Sequence, residues 1–97
     1  MSFFNFFKRK APAGLFGGGS GDSFESAVVI HADTGAAGVQ AEYDYVASQC
    51  GRPGKDWEVQ GQRLEMHEGK PYDVLTIAMK QGGARTYHFD IAKFFGK

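Results

Sequence analysis

The feature that most constrains the fold is a strict alternation of apolar and polar side chains over residues 85–91. In an extended chain, this alternation places Tyr87, Phe89 and Ile91 on one face and polar side chains on the other. A glycine pair at positions 82–83 precedes this segment and suits a tight hairpin turn. The pattern therefore predicts a half-buried strand that pairs antiparallel with the segment before the turn.

Two further strand-like segments precede that turn. Residues 72–80 alternate apolar side chains on one face and keep additional apolar residues on the other, as in a central strand. Residues 57–67 begin with alternation and then change phase near Gly61, which predicts a β-bulge there. A turn over residues 68–71 connects the two segments. Together with residues 85–91, these segments predict a three-stranded antiparallel meander.

One amphipathic helix is predicted ahead of the meander. Its apolar residues recur at intervals of three and four, which places them on one helical face. The residues on this face are Ala36, Val39, Tyr43, Val46 and Cys50. Asp33 or Thr34 suits the N-cap position, and the helix is expected to end at Gly51.

The remaining strand signal is a short β-branched segment at residues 26–31, which predicts a buried strand. The predicted order of elements is therefore β-α-β-β-β. We expect an α+β domain in which one helix packs on a four-stranded, mainly antiparallel sheet. Phe94 and Phe95 are expected to form a short C-terminal helical turn that covers the core.

The N-terminal part of the chain differs in composition from the rest. Residues 11–22 contain five glycines and are predicted to be a flexible linker. We therefore predict that residues 1–22 form a tail and linker and that residues 23–97 form the folded domain. The first ten residues, MSFFNFFKRK, place four phenylalanines directly before three cations.

Aromatic anchors beside a basic cluster suit weak, reversible binding to an anionic membrane surface. They also suit docking on a groove of the chain's own domain or of a protein partner, and a frayed terminus that binds nothing is the third alternative. Disordered tails are usually poor in aromatic residues, which argues that this segment is buried in something outside the main core. The candidate interaction residues are Phe3, Phe4, Phe6, Phe7, Lys8, Arg9 and Lys10.

Charge and cysteine content exclude several classes of protein. The 87 residues after the tail hold eight cations against eleven acids, so the body of the chain is mildly acidic and a general nucleic-acid partner is not expected. A single cysteine, Cys50, excludes an internal disulfide and a four-cysteine zinc site. No segment approaches the roughly 20 apolar residues that span a bilayer. We expect a cytoplasmic protein that contacts membranes at most peripherally.

The stretch Asp33-Thr34-Gly35-Ala36 resembles the Asp-Thr-Gly-Ala signature of retroviral-type aspartic proteases. That resemblance implies a nearly all-β dimer in which each chain contributes Asp33, with the two carboxylates sharing one proton to activate water. The same residues also suit the start of a helix, because residues 39–50 carry helical periodicity. We adopt the capping interpretation and keep the protease as an alternative.

Two other groups of residues are candidate sites. The first is a polar site on the solvated face of the sheet, where positions two apart on a strand share a face. Its members are His67, Thr86, His88 and Asp90. The second is an aromatic and basic sheet surface for single-stranded RNA. Its members are Trp57, Tyr72, Tyr87, His88, Arg63, Lys80 and Arg85.

Neither group supplies the three or four ligands in tetrahedral reach that a zinc site needs, so we predict no metal and no cofactor. Cys50 completes the apolar helix stripe at a helix C-terminus, where the dipole does not stabilise a thiolate, and is predicted to be a core residue. We expect a non-enzymatic interaction module whose partner is a protein or a membrane surface.

Overall fold

The computed structural model describes residues 14–97. These residues form five strands and one helix. The elements are β1 (Phe16–Gly18), β2 (Val28–Ile30), α1 (Gly35–Cys50), β3 (Trp57–His67), β4 (Lys70–Met79) and β5 (Ala84–Asp90). The strands form one mixed sheet in the order β1-β2-β5-β4-β3. The protein is therefore an α+β domain with one helix, as the sequence predicts, but its sheet has five strands rather than four.

The strand missing from the prediction is β1, which lies inside the glycine-rich stretch interpreted as a linker. It pairs antiparallel with β2, with Phe16 opposite Ile30 and Gly18 opposite Val28. At Gly18 the backbone has a positive φ of 75°, and a Cβ there would lie 2.5 Å from the carbonyl oxygen of Ala27. Glycine at position 18 therefore allows β1 and β2 to approach each other closely, rather than making the chain flexible. The order of elements is β-β-α-β-β-β.

The sheet is also less uniform than expected, because β2 pairs with β5 in parallel while the other three pairings are antiparallel. The meander itself is confirmed: β3, β4 and β5 follow one another as antiparallel neighbours. The bulge predicted near Gly61 lies between Val59 and Gly61, where the register with β4 shifts. The turn between β3 and β4 consists of Glu68 and Gly69, both with positive φ, as a two-residue hairpin turn requires.

The hydrophobic core lies between α1 and the sheet face that the alternation predicts. The fully buried side chains are Val28, Ile30, Val46, Trp57, Leu75, Ile77 and Phe89. The indole of Trp57 is buried with its polar group satisfied, since Nε1 donates to the carbonyl oxygen of Gly51 at 2.7 Å. Residues 92–96 form a hydrogen-bonded turn that buries Phe94 against the helix.

The face that α1 buries is rotated from the predicted stripe. Its buried residues are Gly38, Ala41, Glu42 and Val46, whereas Val39 is 41% exposed. The cause is Gly38, which allows the ring of Phe94 to lie directly against the helix backbone; a Cβ there would come within 2.4 Å of that ring. Gly38 therefore influences which face of α1 packs on the core. The periodicity of apolar residues in the sequence does not reveal this.

The start of α1 is capped by Thr34, whose hydroxyl oxygen accepts a hydrogen bond from the Ala37 amide at 3.1 Å. The carboxylate of Asp33 is 90% exposed and lies 3.7 Å from the ammonium of Lys93. The nearly all-β fold implied by the protease resemblance is not present, because a helix of 16 residues follows this stretch.

Two predictions involve residues 1–13, which lie outside the described part of the chain. The tail residues Phe3, Phe4, Phe6, Phe7, Lys8, Arg9 and Lys10 lie outside the described residues. The division into a tail of residues 1–22 and a domain of residues 23–97 stays a prediction, although Phe16–Gly18 pair with β2. Within residues 14–97, no helix has the length and apolar character needed to cross a bilayer.

Candidate functional site

The predicted polar site lies on the sheet face opposite α1, and the structure brings its two histidines together through a third residue. The ring of Phe24 stacks on His67 with centroids 4.1 Å apart and meets His88 edge-on at 4.7 Å. Tyr72 closes the cluster at 5.0 Å from Phe24. Nδ1 of His88 lies 2.9 Å from the carbonyl oxygen of Gly21. The connection between β1 and β2 therefore covers this face of the sheet, which sequence analysis did not anticipate.

The other two predicted members of the polar site have structural partners. Asp90 is almost fully buried; its carboxylate accepts from Lys70 Nζ at 2.9 Å and from the Ala92 amide at 3.1 Å. The hydroxyl oxygens of Thr86 and Thr76 lie 3.2 Å apart on neighbouring strands. No group of three potential metal-ligating side chains occurs within residues 14–97. The four residues thus do not converge on an open site.

The aromatic residues proposed for RNA stacking are not available on the surface. Trp57 and Tyr87 lie in the core beneath α1, and Tyr72 is buried beside Phe24. Base stacking needs aromatic faces that are open to the ligand. The basic residues Arg63 and Arg85 are exposed, but they have no exposed aromatic partner from the predicted set.

Cys50 is half-buried at the end of α1 and packs against the core, with its Sγ 3.3 Å from the hydroxyl of Tyr87 and 3.5 Å from Nη1 of Arg85. It also lines an open cavity of about 470 Å³ together with Asp56 and Lys80. The hydroxyl of Tyr87 and the guanidinium of Arg85 are the hydrogen-bond partners of this thiol.

The most unusual ionisable group is Glu42, which the sequence analysis missed. It is completely buried on the sheet-facing side of α1, and among the described residues neither carboxyl oxygen makes a hydrogen bond of good geometry. Burial raises the pKa of Glu42 to about 10, and the neighbouring Asp73 carboxyl raises it in the same direction. Glu42 is therefore protonated at neutral pH. Its side chain has no surface accessible to solvent in the described part of the chain, so it is a buried neutral acid.

β3 is the eleven-residue strand at one edge of the described sheet, and it is exposed along most of its length. Of its apolar side chains on the helix side, only Trp57 is buried; α1 does not extend over the rest. Leu64 and Met66 are 52% and 56% exposed, and Val59 is 38% exposed. We call this the β3 edge surface: Val59, Leu64, Met66 and the outward backbone of residues 61–67.

The opposite face of the same strand is charged. Arg63 Nε donates to Glu65 Oε1 at 2.8 Å, and both side chains remain accessible to solvent. Backbone N–H and C=O groups on the outer side of an edge strand have no ladder partner and can pair with another chain. β3 thus combines open hydrogen-bonding groups, exposed apolar side chains and a charge pattern on one strand.

Comparison with known proteins gives no relative: no protein-family model, no curated protein and no solved structure matches this chain.

Proposed function

We propose that this protein is a non-enzymatic binding module that accepts an extended segment of a protein chain on the open edge of β3. The observation that supports this proposal is the β3 edge surface, where a strand edge that pairs with no other strand of residues 14–97 coincides with exposed apolar side chains. Strand addition of this kind derives affinity from main-chain hydrogen bonds and specificity from alternate side chains. Leu64 and Met66 stand two residues apart and share a face, which matches that alternation.

The arrangement of the rest of the domain is consistent with binding rather than catalysis. The buried acid Glu42 has no described access to solvent, and Asp90 is held in an ion pair with Lys70. Cys50 packs against the core beside Tyr87 and Arg85. The aromatic and basic tail at residues 3–10, outside the described residues, adds a second proposed contact with the partner or with an anionic membrane surface.

The strand-binding proposal is tested by selecting peptides on the immobilised full-length chain from a random library displayed on phage. We expect enrichment of peptides with alternating apolar residues and no proline at the paired positions, because proline lacks the N–H that a ladder needs. The double variant Leu64→Lys/Met66→Lys should lose these peptides. Both side chains are more than half exposed, so thermal unfolding should change little.

A matched control is Gln49→Lys, which adds a lysine to an exposed position on α1 rather than on the edge strand. This variant should retain the selected peptides. The proposal is wrong if no peptide is enriched above the bare support, or if the enriched peptides bind the Leu64→Lys/Met66→Lys variant as well as they bind the original chain.

A further inference from the structure

We infer that the segment received by β3 is β3 of a second copy of this chain, paired antiparallel about a twofold axis at Leu64. This inference rests on the proposed function of the β3 edge surface and names its occupant. It is carried by two independent observations: the limits of the regular part of the strand, and the order of charges along it.

The regular part of β3 has two structural limits. The register shift between Val59 and Gly61 ends regular pairing on one side, and the Glu68-Gly69 turn, with φ values of 52° and 81°, ends it on the other. The stretch between these limits is residues 61–67, and Leu64 is its middle residue. A symmetric antiparallel pairing that uses the whole stretch must therefore place Leu64 opposite Leu64 of the second copy.

That register brings opposite charges together. With Leu64 at the axis, Arg63 stands opposite Glu65 of the second copy, and the symmetry repeats the pair. The intrachain contact of 2.8 Å between Arg63 and Glu65 shows that both side chains project from the same face of β3. On the helix side, the exposed side chain of Leu64 meets its counterpart, and Gln62 meets Met66. Opposite charges and apolar pairs directly across a ladder stabilise it.

The neighbouring registers are disfavoured by the same residues. Moving the axis by one residue places Arg63 opposite Arg63 of the second copy, or Glu65 opposite Glu65 of the second copy. Like charges directly across an antiparallel ladder destabilise it. The sequence of this edge therefore specifies one symmetric register out of three adjacent ones, which favours a second copy over an unrelated partner segment.

The experiment is analytical ultracentrifugation of the full-length chain over a wide concentration range, with charge-reversal variants. Arg63→Glu alone and Glu65→Arg alone each convert both symmetric pairs to like charges, so each should raise the dimer dissociation constant by roughly tenfold or more. The double variant Arg63→Glu/Glu65→Arg should restore dimerisation. An equimolar mixture of the two single variants should form a heterodimer, because each charge then meets its opposite.

Glu58→Arg is the matched control, since Glu58 is exposed on the same strand but lies before the bulge and outside residues 61–67. It should leave the dimer unchanged, and thermal melts should show all variants folded. A chain that is monomeric at every concentration overturns the inference, as does a dimer that ignores the single variants or is not restored in the mixture. If the chain is monomeric yet its edge still selects alternating peptides, the self-pairing is wrong and the strand-binding function stands.

Discussion

Replacing Glu42 with glutamine should flatten the dependence of folding stability on pH. The carboxyl group of Glu42 is fully buried, and burial raises its pKa from an ordinary value of 4.5 to about 10 in the folded state. In the unfolded chain the same group titrates near its ordinary value. Between those two pKa values, the folded protein binds a proton that the unfolded protein has released.

The sign of the effect follows from proton binding. A group that binds more protons in the folded state lowers the free energy of unfolding as pH rises. The stability associated with protonated Glu42 is fully present below about pH 4.5 and is lost progressively up to about pH 10. The slope is about 1.4 kcal/mol per pH unit, so the loss from pH 5 to pH 8 is about 4 kcal/mol. That is a large part of the ~5–15 kcal/mol that stabilises a small domain.

Urea denaturation at pH 5, 6, 7 and 8, followed by circular dichroism, measures the free energy of unfolding directly. Glutamine has the shape of the protonated acid but does not titrate, so the Glu42→Gln variant should lack the downward slope. The two proteins differ at this one residue, so comparing them isolates the contribution of Glu42.

Glu58→Gln provides the control, because Glu58 is an exposed carboxylate on β3. It should show the same slope as the original chain. The reasoning is refuted if Glu42→Gln and the original chain have parallel stability profiles over this pH range, since the protonation of Glu42 would then be the same in the folded and unfolded states.

Three further predictions concern packing, capping and the tail. Gly38→Ala should destabilise the domain by about 1–3 kcal/mol, because the new methyl group overlaps the ring of Phe94. Gly61→Ala is the control: its methyl group meets open space, so the melting temperature should be nearly unchanged. Thr34→Ala should lower the free energy of unfolding by ~1 kcal/mol through loss of the helix cap. Asp33→Asn should leave the stability unchanged. Neither this variant nor the original chain should hydrolyse peptides in an assay at acidic pH. Deleting residues 1–10 should abolish co-sedimentation with anionic vesicles at low salt and leave the melting temperature unchanged; equal binding by the shortened chain would contradict the role of the tail.

The sequence predicts the meander well because each of its strands carries its own local signal. The alternation around Tyr87 and Phe89 corresponds to the buried face of β5, and the glycine pair at 82–83 corresponds to the turn before it. The helix is also found from local periodicity, with a cap at one of the two predicted residues. These features depend on neighbours within a few positions along the chain.

The features that the sequence does not reveal depend on distant contacts. β1 has three residues and two glycines, and only its pairing with β2 makes it a strand. Phe24 lies in a connection whose composition suggests a loop, yet it contacts His67 and His88, which are more than forty positions away. Glu42 carries no local signal of burial, because a charged side chain is usually exposed, yet it is fully buried on the same side of α1 as Gly38.

The candidate site was missed for a related reason. Leu64 and Met66 carry the alternation of a half-buried strand, and that pattern alone predicts that they are covered. Their exposure follows from the position of β3 at the end of the sheet, beyond the reach of the single helix. Strand order is set by the parallel pairing of β2 with β5, which periodicity within one segment does not encode.

That parallel pairing has a consequence for how the chain is made. β2 leaves the ribosome early, yet its partner in the sheet, β5, follows every other strand in the sequence. Until β5 emerges, β1 and β2 form at most an isolated hairpin, and the β3–β4 hairpin has no strand that joins it to β2. During synthesis, Val28 and Ile30 must therefore stay exposed while more than fifty further residues are added. The first half of this chain cannot fold ahead of the second, so its structure is completed only when synthesis has passed residue 90.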